Sequence, residues 1–89
     1  MPKNLYVADP QDGCAWVTGA SSGIGRALAL GLALSGWRVA VTARSATALQ
    51  ELAQEARDLP GSIHSFPGDV TDTGLMDAHC RAIRKELGG

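Results

Sequence analysis

A cluster of glycines and serines early in the chain has the spacing that phosphate binding needs. Gly19, Gly23 and Gly25 stand between an apolar run and a helical pattern, and Ser21 and Ser22 lie among them. We expect Gly19 to let the chain turn sharply, Gly23 to let the backbone approach a pyrophosphate, and Gly25 to let the helix pack closely. The N–H groups of the first helical turn, the helix dipole and the two hydroxyls would then face the anion. A glycine-rich turn without a ligand is the alternative.

The local charge favours the same kind of ligand. No Asp or Glu occurs between Gly13 and Gln50, whereas Arg26, Arg38 and Arg44 all fall in that stretch. A locally cationic segment suits a phosphate-bearing molecule, although three charges could also be segregated by chance. The formal net charge is −1 over 89 residues, which argues against nucleic acid or an acidic membrane as the main partner.

The elements that must position these residues alternate between strand and helix. Apolar and β-branched runs predict three strands, at residues 14–18, 38–42 and 62–66. Helical patterns follow them, from Ile24 to Ser35, after a cap at Ser45, and from about Asp72 to Leu87. The first of these helices is apolar on nearly all sides, so we expect it to be buried.

The order β-α-β-α-β-α with short connections predicts an α/β protein with a parallel sheet and right-handed crossovers. This is a partial Rossmann (doubly wound) fold, with the three predicted strands in the order 3-2-1. We expect an irregular leader over residues 1–12 and, over residues 13–89, the N-terminal half of a nucleotide-binding domain, truncated before its fourth strand. The apolar edge at Cys14–Val17, which a fourth strand would cover, is then predicted to be exposed.

The loop as a whole, from Thr18 to Gly25, reads T-G-x-x-x-G-I-G and resembles the cofactor loop of the short-chain dehydrogenase/reductase family. The resemblance extends from Ala15 to about Leu87. It implies an NAD(P)-binding Rossmann fold in an oxidoreductase that transfers hydride between a nicotinamide dinucleotide and a carbonyl or alcohol. It also implies that the full-length protein is a homo-oligomer. The loop residues that would contact the cofactor are Gly19, Ser21, Ser22, Gly23, Ile24 and Gly25.

The pair Arg44 and Ser45, which follows the second predicted strand, favours NADP(H) over NAD(H). An acid at this place would accept hydrogen bonds from the ribose 2′-hydroxyl of NAD, whereas an arginine suits a 2′-phosphate. The sequence has Arg44 here with no acid nearby, and Ser45 adds a hydroxyl. A guanidinium can bind a phosphate through two hydrogen bonds. The alternative is that Arg44 is a solvated loop residue.

A further pair of residues follows the third predicted strand. By the resemblance, Asp69 and Val70 lie along the adenine, with the carboxylate accepting a hydrogen bond from the exocyclic amine. The alternative is that Asp69 belongs to the cap region of the third helix, beside Thr71 and Asp72.

No residue can be assigned as a catalytic proton donor. The resemblance implies a tyrosine followed four positions later by a lysine, but Tyr6, the single tyrosine, is followed there by Pro10. The Asn-Asn-Ala-Gly segment of the family is also missing. We therefore expect the 89-residue chain to be an incomplete fragment of such an oxidoreductase, which binds cofactor without turnover. The alternative is a nucleotide-binding fragment with no catalytic function.

A hydrolase is the alternative from another class. The turn also fits G-x-S-x-G, the nucleophile elbow of α/β-hydrolases, with Ser21, Asp69 and His79 in hydrolase order. However, His79 lies on the apolar stripe of the third helix, where a packed histidine is expected. Gly25 and Arg44 would also have no role in a hydrolase.

The remaining reactive side chains do not suggest another site. Cys14 and Cys80 form no metal-ligand spacing with each other or with His64 and His79, so we expect no metal. Neither a signal peptide nor a membrane span is found in the sequence, which predicts a cytoplasmic protein whose two thiols are buried and reduced.

Overall fold

The computed structural model describes residues 6–9, 14–20 and 23–86. Within these ranges the chain forms an α/β structure in which helices connect parallel strands. The elements are β1 Tyr6–Asp9, β2 Cys14–Thr18, α1 Gly23–Leu34, β3 Arg38–Thr42, α2 Ala46–Glu55, β4 Ser62–Ser65 and α3 Thr73–Glu86.

The sheet has the order β1-β2-β3-β4. β2, β3 and β4 are parallel, with Ala15 opposite Val39 and Val39 opposite Ile63. These three strands are the three that the sequence predicts, and their order confirms the predicted Rossmann-like arrangement. Parallel neighbours place the carboxyl ends of all three strands at one edge of the sheet.

An additional strand lies beside β2. β1 pairs with it in antiparallel orientation, with Tyr6 opposite Val17. The predicted irregular structure of residues 1–12 is therefore wrong over residues 6–9, and the rest of that segment lies outside the described residues. The predicted exposed edge of β2 is wrong for the same reason. Tyr6, Val7 and Ala8 form an apolar run that ends at Asp9 and Pro10, but so short a run does not identify a strand from the sequence alone. The strand gains its hydrogen-bonding partner from the backbone of β2.

The main core lies between one face of the sheet and helices α1 and α2. Its buried members are Val17, Ala20, Ala29, Ala33, Val39, Val41, Ala43, Leu49, Leu52, Ala56 and Ile63. On the opposite face, α3 packs Ile83 against Cys14 and Ala40, with Trp16 and Phe66 at the border of this smaller cluster. The Trp16 indole N–H donates to the hydroxyl of the fully buried Thr42 at 2.9 Å, which satisfies both polar groups.

Helix α1 is more exposed than its composition predicts. Its buried residues are the small ones, Gly25, Ala29 and Ala33, which allow the helix to approach the sheet closely. Ile24 and Leu34 are 75% and 62% exposed. The expectation of a helix buried on all sides is therefore wrong, because the described residues cover one side of α1. No helix in the described part of the chain is long and apolar enough to span a bilayer.

The other two helices begin at side chains that cap them. The Ser45 hydroxyl oxygen accepts a hydrogen bond from the Ala48 N–H at 3.1 Å, which confirms the predicted cap of α2. The Asp72 carboxylate accepts from the Leu75 N–H at 3.1 Å, so Asp72 caps α3 and the helix begins one residue later than predicted. These caps fix where the loops after β3 and β4 end.

Candidate functional site

Three loops meet at the carboxyl edge of the parallel strands. The N–H groups of Gly19 and Ala20 both donate to the carbonyl oxygen of Thr42, at 2.9 and 3.3 Å. The N–H of Gly68 donates to the carbonyl oxygen of Ala43 at 2.9 Å. The loop after β2 is thus attached to the end of β3, and the loop after β4 is attached to the same place. Residues that are far apart in sequence are held together here by backbone hydrogen bonds.

The glycines of the first loop have backbone geometries that favour or require glycine. Gly19 and Gly23 have φ values of +68° and +61°, in the region that favours glycine. A Cβ on Gly25 would lie 2.9 Å from the carbonyl carbon of Gly19, so only glycine permits this close approach. Ser21 and Ser22, which we expect to contribute hydroxyls, lie outside the described residues.

The start of α1 is not covered by the described part of the chain. A Cβ on Gly23 would meet no atom of the described residues within 4 Å, and Ile24 is largely exposed. The first N–H groups of a helix have no partner within the helix and carry the positive end of its dipole. This is the end of α1 at which the sequence predicts an anion.

The cationic stretch of the sequence is partly neutralised in space. Arg26, on the first turns of α1, forms an ion pair with Glu55 at the end of α2. Arg44 forms an ion pair with Asp69, Nη2 to Oδ2, at 3.3 Å. The acids that lie outside the stretch in sequence are thus brought back to it by the fold, and the contribution of charge segregation is smaller than predicted.

The contact between Arg44 and Asp69 joins the loops after β3 and β4. The Arg44 side chain is 81% exposed and that of Asp69 is 40% exposed, so both can reach a ligand. Both were predicted separately as site residues, but the sequence does not show that they pair. Ser45 follows Arg44 and uses its hydroxyl oxygen to cap α2, while Val70 beside Asp69 is 50% exposed.

Thr71 fixes the Asp69 carboxylate. Its N–H donates to Asp69 Oδ1 at 2.9 Å, and its hydroxyl donates to the same oxygen at 2.8 Å. These bonds, the backbone one first, together with the positive charge of Arg44, hold the pKa of Asp69 below its usual value of 3.8. Sequence reasoning missed this role of Thr71, although the spacing D-x-T is a known pattern for a side chain that bonds the backbone two residues on.

The residues of the hydrolase alternative do not form an aspartate–histidine pair. The Asp69 carboxylate is engaged by Thr71 and Arg44. His79 has its Nε2 atom 3.0 Å from the Pro67 carbonyl oxygen and packs edge-on against Phe66, with ring centroids 5.5 Å apart. His79 is thus a packed side chain, and the arrangement does not favour a hydrolase.

Comparison with known proteins points to one family. The family model for short chain dehydrogenases matches residues 13–89. An uncharacterised oxidoreductase from Myxococcus xanthus is 43% identical over 75 residues, which cover 84% of this chain and 30% of that protein. The chain thus spans less than a third of the length of this relative.

Solved structures agree with the sequence match. A metagenomic short-chain oxidoreductase in complex with NADP superposes with a TM-score of 0.80 at 32% identity, covering 86% of this chain and 35% of that one. L-sorbose reductase from Gluconobacter frateurii, complexed with NADPH and L-sorbose, gives a TM-score of 0.75 at 32% identity, covering 83% of this chain and 28% of that one.

The family match covers the glycine turn, the parallel strands and the loops that meet at their carboxyl edge. The hydrolase alternative is not favoured by any of these comparisons. The chain belongs to the short-chain dehydrogenase family, whose members are oxidoreductases that use nicotinamide cofactors.

Proposed function

We propose that this chain binds NADP(H) through the adenosine and pyrophosphate part of the cofactor. The glycine turn and the start of α1 hold the pyrophosphate, with Ser21 and Ser22 donating to it. Arg44, assisted by Ser45, binds the 2′-phosphate. Asp69 and Val70 lie along the adenine. The observation that carries the proposal is that Arg44 and Asp69 meet at the carboxyl edge, beside the loop that the Thr42 carbonyl anchors.

The residues present fit a dinucleotide. At Gly19 and Gly23 a Cβ would have no neighbour within 4 Å among the residues that the structure describes, which leaves room there for a phosphate group. The Arg44 guanidinium is exposed at the end of the second parallel strand, where the ribose of a bound dinucleotide is recognised. Arginine matches phosphate geometry, whereas the 2′-hydroxyl of NAD(H) calls for an acceptor. The structural neighbours solved with NADP or NADPH support the same choice.

The chemistry of the bound cofactor would be hydride transfer with a carbonyl or alcohol substrate. Within the 89 residues, the position four after Tyr6 is Pro10, so the proton-donor motif of the family is not formed by these residues. We propose that the chain contributes cofactor binding and does not by itself turn over a substrate. The residues assigned here bind and orient the adenosine end, and none of them is assigned to the reacting end of the cofactor.

The test is a comparison of cofactor affinities. The ¹⁵N-labelled chain is titrated with NADPH and with NADH, followed by NMR, and the same titrations are done with Arg44→Ala. We expect NADPH to bind more tightly, and Arg44→Ala to weaken NADPH by about 1–3 kcal/mol, the cost of a lost charged hydrogen bond, with a smaller effect on NADH.

A control variant that removes the same charge elsewhere distinguishes the proposed contact between Arg44 and the 2′-phosphate from a general electrostatic attraction to the cofactor. Arg84→Ala removes the same charge from an exposed position in the last turn of α3 and should leave both affinities unchanged. An equal loss for NADPH and NADH in Arg44→Ala contradicts the 2′-phosphate assignment. Absence of binding for either cofactor contradicts the proposed function itself.

A further inference from the structure

The Asp69 carboxylate has partners on both of its oxygen atoms. Oδ1 accepts two hydrogen bonds from Thr71, and Oδ2 lies 3.3 Å from Arg44 Nη2. Two donors on the same oxygen, both from the same residue, fix the rotation of the carboxylate. Once that rotation is fixed, Oδ2 is directed towards the loop after β3.

The contact leaves Arg44 free to bind an anion. A guanidinium carries five N–H donors in a planar fork, and the contact with Asp69 is made through Nη2. Its other donors remain for a phosphate, while Asp69 restricts the orientation of the fork. An exposed arginine that is already held near its bound orientation loses less rotamer freedom when the phosphate arrives.

We propose that Asp69, held by Thr71, is a positioning residue that orients Arg44 for the 2′-phosphate. Thr71 thereby acts on the preference for NADP(H) over NAD(H) through the Arg44–Asp69 ion pair. This inference rests on the proposed function, because it assumes that Arg44 binds the 2′-phosphate.

Asp69 has two opposing effects on phosphate binding, and substituting Thr71 distinguishes between them. The carboxylate charge repels a phosphate, whereas the contact with Arg44 orients the guanidinium. Replacing Asp69 would change both effects at once. Thr71→Val leaves the Asp69 charge in place and removes only the hydroxyl that helps to fix the carboxylate. Thr71→Ser keeps a hydroxyl and serves as the conservative variant.

The first measurement needs no cofactor. The ¹⁵N relaxation of Arg44 Nε is recorded in the unmodified chain, in Thr71→Val and in Thr71→Ser. We expect Arg44 to become more mobile in Thr71→Val and to keep its original order in Thr71→Ser. The loop after β4 is attached to Ala43, so backbone ¹⁵N relaxation of Gly68 and Asp69 is recorded as well. A merely structural role of Thr71 would loosen this backbone, whereas positioning changes the motion of the Arg44 side chain alone.

The second measurement is a double-mutant cycle on affinity. The ratio of NADPH to NADH affinity is measured at low ionic strength for the unmodified chain, Thr71→Val, Arg44→Ala and the double variant. We expect Thr71→Val to lower the ratio about two- to fivefold, the range typical of an exposed ion pair. In the Arg44→Ala background, Thr71→Val should leave the affinity ratio unchanged. Thr71→Ser in the otherwise unmodified chain should keep the original ratio.

The outcomes distinguish this inference from the proposed function. If Arg44→Ala abolishes a clear NADPH preference but Thr71→Val changes neither the ratio nor the Arg44 mobility, positioning is overturned and the proposed function stands. A fall of the ratio that is equally large in the Arg44→Ala background also overturns positioning. If the unmodified chain has no NADPH preference, the 2′-phosphate assignment is wrong and the inference fails with it.

Discussion

Gly25 and Gly19 lie in contact across the turn between β2 and α1. A Cβ on Gly25 would overlap the carbonyl oxygen of Gly19 and would lie 2.9 Å from its carbonyl carbon and 3.2 Å from the Cα of Ala20. The Gly19 and Ala20 N–H groups are in turn held by the Thr42 carbonyl oxygen. The first turn of α1 therefore packs against a loop whose position is fixed by hydrogen bonds to the end of β3.

This contact predicts that Gly25→Ala destabilises the fold. The added methyl would push α1 away from a backbone atom, and overpacking of this kind costs about 1–3 kcal/mol. The control is Gly31→Ala on the exposed side of the same helix, where a Cβ meets none of the described atoms within 4 Å. That variant should gain about 0.5–1 kcal/mol from helix propensity. Urea unfolding followed by circular dichroism measures both, and equal effects of the two variants would contradict the close contact.

Comparing Gly23→Val with Gly36→Val distinguishes the effect of backbone strain on stability from the effect of the Gly23 position on ligand binding. Gly23→Val places a β-branched residue at φ +61°, and Gly36→Val does the same at φ +95° at the far end of α1. Neither Cβ would meet an atom within 4 Å in the described part of the chain, so we expect both variants to lose stability through backbone strain. Only Gly23→Val should abolish binding of NADPH and NADH, measured by NMR titration of the folded fraction. Normal binding by Gly23→Val would mean that the phosphate lies elsewhere.

The titration of Asp69 provides a test that depends on pH. Its folded pKa lies below 3.8 because Thr71 donates two hydrogen bonds to the charged form. A lowered folded pKa stabilises the protein above the unfolded value, and this contribution is lost as the pH falls through the folded value. We expect ¹³C NMR of the Asp69 carboxyl to give a midpoint below 3.8 and Thr71→Val to raise it. A midpoint at or above 3.8 in the unmodified chain would contradict the observed hydrogen bonds.

Strand β1 protects the edge of β2. Deleting residues 1–9 removes β1, so the apolar strand Cys14–Thr18 would present unpaired backbone groups and favour self-association. Deleting residues 1–5 leaves β1 in place and should leave the association state unchanged. Sedimentation velocity over a range of concentrations compares the two deletions. If the shorter and the longer deletion behave alike, β1 does not protect this edge.

The sequence alone was enough to predict the features that arise from local patterns. The alternation of strands and helices, the Ser45 cap and the close packing at Gly25 all follow from residue type and spacing, and the structure agrees with each. Contacts between distant loops could not be predicted in this way. The pairing of Arg44 with Asp69 depends on the backbone bonds that bring two loops together, and the hydrogen bonds of Thr71 depend on the turn geometry after β4.

The same limit explains the errors of the sequence prediction. β1 owes its structure to a neighbouring backbone edge, and α1 is exposed because burial depends on what surrounds a helix as well as on its own residues. Charge segregation along the chain was misleading because Glu55 folds back onto Arg26. In each case the missing information is three-dimensional proximity.

The antiparallel strand also affects the order in which the sheet assembles. Asp9 pairs with Cys14 a few positions further on, whereas the partner of Cys14 on its other side, Arg38, comes only after a complete helix. A hairpin forms in about 1–10 μs, whereas a parallel pair must wait for its crossover to fold back. We expect β1 and β2 to pair first, so that β3 can then add to the free edge of β2. The strand that precedes the family match would then act as the nucleus on which the family fold is built.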